Sequence, residues 1–216
     1  MPTLTIFSAP KPFTNPHIAI IQRNAIRSWL ELGPEVEVLL VGEEAGLAEI
    51  AAELGIKHLP DVRRNSEGTP LVSSIFELAR QNSQSPFLAY VNADIIVMPD
   101  FLDSTRAVAT STARFLIVGQ RWDLDVRNLL DYSTGWMLTL RQEINNHARR
   151  HVATGSDYFI FPRQLYSQMP EFAIGRAGWD NWMIYEARRR GWKVVDATES
   201  IQIVHQNHDY SHFANG

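Results

Sequence analysis

The sequence predicts an α/β fold: one domain, with a mostly parallel central sheet flanked by helices. Three observations carry this. The first hundred residues alternate short apolar strands with amphipathic helices, the pattern of parallel strands covered on both faces. The chain has 216 residues, 45% hydrophobic and 20% charged, so it can bury one sizeable core without a staple. No repeat, low-complexity tract or linker divides residues 1–216.

"TLTIFSA" (3–9) is a short apolar strand closed by Pro10 and Pro12. "NPHIAIIQRNAIRSWLEL" then reads as a helix, with Asn15 as N-cap, Pro16 at the first helical position and Gly33 as the stop. Ile18, Ile21, Ala25, Trp29 and Leu32 recur at helical spacing and make one buried face. "VEVLLVG" (36–42) is the next strand, "GLAEIAAELG" a short helix and "IKHLP" a brief strand. "TPLVSSIFELARQN" (69–82) is a helix with Pro70 near its start, leading into the strand "FLAYV". The second half is less regular. Strands are expected at 115–120, 158–162 and 193–197, and helices around 139–150 and 179–190.

Bulk properties exclude several function classes. A net charge of −4 argues against a non-specific nucleic-acid binder. The absence of cysteine removes disulfides, thiolate zinc sites and cysteine nucleophiles, and fits a reducing compartment. The N-terminus lacks a basic region followed by an apolar stretch, and no long uninterrupted apolar span occurs, so a soluble cytoplasmic protein is expected. Neither G-x-G-x-x-G nor G-x-x-x-x-G-K-[ST] is present, which argues against dinucleotide and P-loop sites in their usual forms.

"FLAYVNADIIVMPDF" (87–101) places an amide and a carboxylate where an apolar strand ends. In an open α/β sheet, ligands sit outside the carboxyl ends of the strands. Side chains two apart in extended chain point the same way, so Asn92 and Asp94 can face one site. A carboxylate there suits a hard divalent cation that bridges phosphate oxygens. It equally suits a cap on the following turn. "GRAGWDNWMIYEARRRGW" (175–192) places Asp180 between Trp179 and Trp182 in the first turn of a helix. Asp180 is favourable there for structural reasons, or it is a base in a sheltered pocket. "IVHQNHDYSH" (203–212) holds His205, His208 and His212, either metal ligands or a solvated terminus.

Together these stretches resemble the GT-A glycosyltransferases. "NAD" stands where that fold carries its Asp-x-Asp motif, after a helix opening with the Gly-Thr-Pro turn of "EGTPLVSS" (67–74). "AGWDNWMI" resembles the segment that supplies the catalytic carboxylate in several inverting families. A histidine in a C-terminal strand and loop is a frequent last metal ligand of the family. The three occur in the family's order over nearly the whole chain.

The resemblance implies a Rossmann-like GT-A domain. Residues 1–100 would form a nucleotide-binding half, and 101–216 an acceptor and catalytic half. It implies a transferase moving a sugar from a UDP-sugar to a saccharide or other hydroxyl acceptor, inverting, with Mn2+ or Mg2+ as cofactor. Asp94 and His208 would ligate the metal, with His205 in reserve. Ala9, Lys11, Thr69, Asn92, Ala93 and Arg121 would contact the donor. Asp157, Trp179 and Trp182 would face the acceptor or sugar, and Asp180 would be the base. The family's first motif Asp is Asn92 here. A catalytically silent nucleotide-sugar-binding domain and a sugar nucleotidyltransferase are the alternatives, the latter disfavoured because "SAPKPFTNP" is neither glycine-rich nor strongly basic.

Overall fold

In the computed structural model, which describes residues 1–208, the chain begins with β1 (Leu4–Ser8), buried along its whole length. The helix α1 (Pro16–Leu30) follows, and Asn15 Oδ1 accepts from the N–H groups of His17 and Ile18 at 2.9 and 3.2 Å. These bonds satisfy donors that a helix start leaves open. Next come β2 (Val36–Val41), α2 (Leu47–Leu54), β3 (Lys57–Leu59), α3 (Val72–Asn82) and β4 (Phe87–Val91). The predicted alternation of the first half is therefore present.

The second half departs from the prediction in several places. After β5 (Ile95–Ile96) an unpredicted helix, α4 (Asp100–Ser111), begins with Asp100 and Asp103 in its first turn. β6 (Phe115–Val118) and β7 (Trp122–Leu124) lead to α5 (Trp136–His147), which starts and ends three residues earlier than expected. Its start is set by Gly135, whose φ of 94° suits glycine. β8 (Arg149–Arg150), β9 (Tyr158–Pro162), α6 (Trp179–Arg189), β10 (Lys193–Asp196) and β11 (Val204–Gln206) complete the described chain. His212 lies outside the described residues. Among those residues, no helix is long and apolar enough to cross a membrane.

The main sheet has seven strands in the order β10-β6-β9-β4-β1-β2-β3. β9 alone runs antiparallel, paired to β4 and β6. One face carries a core built on Leu4, Ile6, Trp29 and Phe101, and the other a core built on Phe7, Phe76, Phe159 and Trp179. Burial on both faces explains why β4 and β9 are continuous apolar runs instead of alternating ones.

A second sheet, β5-β11-β7-β8, is made of strands of two or three residues. Such strands are too short to show a period of two, which is why β5, β7 and β8 escape sequence analysis, while β11 lies in the C-terminal strand and loop that the sequence did suggest. β1 is followed by β2 on one side and flanked by β4 on the other. The strand order therefore reverses at β1 and β4, the position where open α/β sheets form a ligand crevice.

Candidate functional site

A cavity of about 490 Å³ opens at that reversal, lined by the loops that follow β1, β2 and β4. Ala9 and Lys11 come from the first loop, and Asn92, Ala93 and Asp94 from the third. Gln22 of α1 pins the first loop: its Oε1 accepts from Lys11 N–H at 2.7 Å, and its Nε2 donates to Lys11 O at 2.9 Å. The lining also includes Arg121, Asp157, Trp179, Asp180, His205 and His208. Most residues that the sequence nominated thus meet in one cavity.

Two do not. Thr69 lies outside the cavity wall, in a turn where its N–H donates to Asn65 Oδ1 at 2.8 Å, and its neighbour Pro70 lines the cavity in its place. Trp182 packs against Tyr166 and Phe172 on the core side of α6, so the helical period carries it away from the cleft. Trp179 does reach the wall, but the residue is only 7% exposed and its ring is engaged by Tyr90, Phe76 and Phe159. It is a cavity wall more than an open stacking platform.

Asp94, His205 and His208 converge, with one ligand atom from each lying within 4.8 Å of the others. His208 Nε2 is 3.0 Å from Asp94 Oδ2, and His205 Nε2 is 3.7 Å from the same oxygen. The tail is held in place by its strand pairing, with His205 opposite Ile95 and the Gln206 N–H donating to Asp94 O at 3.2 Å. Burial pushes the Asp94 carboxyl up, but the hydrogen bond from His208 and the charges of His205, His208 and Lys11 outweigh it. Its pKa falls below the ordinary value. Burial lowers His205, with Asp94 opposing.

Asp94 Oδ1 is buried and has no hydrogen-bond partner among the described residues. An orphaned carboxylate oxygen is costly unless a cation or donor meets it. One carboxylate and two imidazoles facing a cavity are a donor set that fits a divalent transition metal.

Asn92 and Asp157 are brought together by β9. Antiparallel pairing sets Val91 opposite Tyr158, so the next residues outward, Asn92 and Asp157, face each other. The Asn92 N–H donates to Asp157 O at 2.9 Å, and Asn92 Nδ2 donates to Asp157 Oδ1 at 2.9 Å. Arg121 Nη1 donates to both oxygens of Asp157 at 3.0 and 2.9 Å, and Arg121 Nε to Asp123 Oδ1 at 2.8 Å. Sequence analysis passed over Asp123 and His151, whose Nδ1 lies 2.8 Å from Asp123 Oδ2. Only their proximity to Arg121 in "GQRWDLD" and to Asp157 hinted at them.

Asp180 sits in the first turn of α6 and lines the cavity. Its Oδ1 accepts a long 3.3 Å bond from Gly178 N–H. Both roles left open by the sequence are therefore compatible with its placement.

No family model matches the sequence, and no curated protein matches it. Several solved structures share its fold. A mannosyltransferase from Pyrobaculum calidifontis in complex with GDP-Man and Mn2+ aligns over 99% of this chain and 59% of its own, with TM-score 0.61 and 11% identity. Glucosyl-3-phosphoglycerate synthase from Mycobacterium tuberculosis, in complex with Mn2+, UDP and phosphoglyceric acid, aligns over 99% of this chain and 74% of its own, with TM-score 0.59 and 16% identity. TarS residues 1–349 from S. aureus, in complex with UDP-GlcNAc, align over 100% of this chain and 61% of that one, with TM-score 0.59 and 12% identity. The chain thus has the GT-A-like fold of nucleotide-sugar transferases. It spans about three fifths of two of these three neighbours.

Proposed function

We propose that this chain is a metal-dependent, inverting glycosyltransferase that moves a sugar from a UDP-sugar to a hydroxyl acceptor. The observation that carries the proposal is the convergence of Asp94, His205 and His208 at the carboxyl ends of β1 and β4, with Asp180 on the wall of the same cavity. Two of the three neighbours described above were solved with UDP or a UDP-sugar, which supports the choice of nucleotide.

In this reading the first hundred residues supply most of the donor site. The loop of Ala9 and Lys11 takes the nucleotide, Asn92 and Ala93 border the ribose and diphosphate, and Lys11 and Arg121 add positive charge to the wall. Asp94 and His208, with His205 behind them, would hold the metal. When bound there, the ion supplies Lewis-acid stabilisation of the charge on the departing diphosphate. Two imidazoles beside one carboxylate favour Mn2+ over Mg2+, which prefers oxygen ligands.

The second half supplies the acceptor side. Asp180 takes the proton of the attacking hydroxyl onto its carboxylate while the glycosidic bond to the diphosphate breaks. A single displacement from the face opposite the leaving group inverts the sugar. Asp157 is unsuited to that task, because Arg121 and Asn92 occupy its oxygens. A thermal-shift screen of nucleotide sugars, with Mn2+ and with a chelator, tests the whole proposal. A ligand at about 100 times its Kd adds about 2.7 kcal/mol. Absence of any metal-dependent shift across UDP-, GDP- and dTDP-sugars would reject it.

A further inference from the structure

β7 and β11 lie side by side in the small sheet, and their register sets Asp123 opposite His205. The His205 side chain is 3% exposed and lies between two carboxylates, one facing each ring nitrogen. Nδ1 is 3.1 Å from Asp123 Oδ1, within hydrogen-bond reach although the N–H is not aligned on that oxygen. Nε2 is 3.7 Å from Asp94 Oδ2, too long for a hydrogen bond. That spacing suits two atoms sharing one cation, because ligands about 2.1 Å from an ion lie roughly 3 to 4 Å apart.

Asp123 is itself held. Arg121 Nε donates to its Oδ1 at 2.8 Å, and His151 Nδ1 is bonded to its Oδ2 at 2.8 Å. The carboxylate is therefore fixed from β7, from the chain just before it and from the segment that follows β8, so it offers His205 an acceptor at a set position. We infer that Asp123 is the positioning residue of this metal site. It takes the Nδ1 proton of His205 as a hydrogen bond and leaves Nε2, the nitrogen that faces Asp94, as the lone-pair donor. The inference rests on the reading of Asp94, His205 and His208 as metal ligands. Loss of such a supporting carboxylate typically weakens metal binding 10- to 100-fold.

Two measurements test it, and neither depends on turnover. The first is long-range 15N NMR on the metal-free wild-type protein, which reads the His205 tautomer and needs no substitution at 123. Nδ1–H is expected, and an Nε2–H tautomer would overturn the inference. The second is titration with Mn2+ alone, followed by electron paramagnetic resonance, on the wild type, Asp94→Ala and Asp123→Asn. One site is expected in the wild type, its loss in Asp94→Ala, and a roughly 10- to 100-fold weaker site in Asp123→Asn. Wild-type Mn2+ affinity in folded Asp123→Asn, beside loss in Asp94→Ala, would remove Asp123 and leave the metal site standing. Equal Mn2+ binding by the wild type and Asp94→Ala would remove both.

Discussion

The side-chain amide of Asn92 donates to Asp157 Oδ1 at 2.9 Å, on the same carboxylate that Arg121 engages through both oxygens. This contact gives the amide at position 92 a donor's role that a carboxylate could not fill. An Asp at 92 would set two carboxylates at hydrogen-bond distance, and one would have to take up a proton or move away. Asn92→Asp is expected to lower unfolding stability by about 1–3 kcal/mol at neutral pH in chelator-treated buffer. Asn92→Asp combined with Asp157→Asn should recover part of that loss, because acid and amide exchange places. Urea denaturation of the double-mutant cycle measures the coupling, and strictly additive losses would show that the two side chains act independently.

Metal and nucleotide binding should depend on one another through Asp94. Calorimetry with UDP is expected to show strong binding with Mn2+, weaker binding with Mg2+, and loss of the Mn2+ enhancement in Asp94→Ala. His208→Ala should weaken the Mn2+ complex more than His205→Ala if His208 is the principal imidazole ligand. Unchanged UDP affinity in Asp94→Ala would take Asp94 out of the site.

Asp180→Asn separates a base from a cap. Asn caps and tolerates a first-turn position well, so a structural Asp180 would lose little on this change. A base is expected to lose about 10²- to 10⁴-fold in kcat, with UDP affinity nearly unchanged. Steady-state kinetics beside UDP calorimetry makes the distinction, and near-wild-type turnover would move the base elsewhere.

Trp182 offers a control on the acceptor side. Packed against Tyr166 and Phe172, it should contribute to stability and not to recognition. Trp182→Phe is expected to cost about 1–2 kcal/mol in unfolding while leaving the KM for acceptor unchanged. A raised KM with unaltered stability would put it back at the acceptor.

Glu186 sets part of the acid limb of stability. Its side chain is 8% exposed and paired with Arg189 and Arg190, at 2.7 and 2.8 Å. The hydrogen bond from Arg189, with that from Arg190, draws its pKa down from 4.5 to about 2. A folded-state pKa below the unfolded value means the stabilisation is complete above pH 4.5 and is lost as pH falls through 2. Both arginines are half exposed, so the contribution is on the order of 1–2 kcal/mol, not the full value of the shift. Glu186→Gln should cost that much at pH 7 and almost nothing at pH 2. Equal losses at both pH values would assign Glu186 a packing role only.

The parts of this molecule that depend on neighbours in sequence were legible in the sequence. Asn15, Pro16 and the spacing of Ile18, Ile21, Ala25 and Trp29 specify α1, which ends at Leu30, before Leu32, because a cap and a helical face involve residues within one or two turns. The apolar run "FLAYV" followed by Asn92 and Asp94 marks a strand end in an α/β alternation, and strand ends are where such folds bind ligands. The tail histidines could be suspected for a similar reason: they follow directly on an apolar stretch.

The tertiary structure alone decided which polar groups meet. Asp94 and His208 are 114 residues apart, and Asn92 and Asp157 are 65 apart. Nothing in a local pattern reports such distances. The antiparallel direction of β9 sets Asp157 against Asn92, where Arg121 also engages it. The register of β7 on β11 sets Asp123 beside His205, and the turn of α6 carries Trp182 inward while Asp180 stays at the cavity. Direction, register and helical phase are properties of pairing and packing against distant chain, so a sequence names the candidate groups, and the folded sheet fixes which of them share a site.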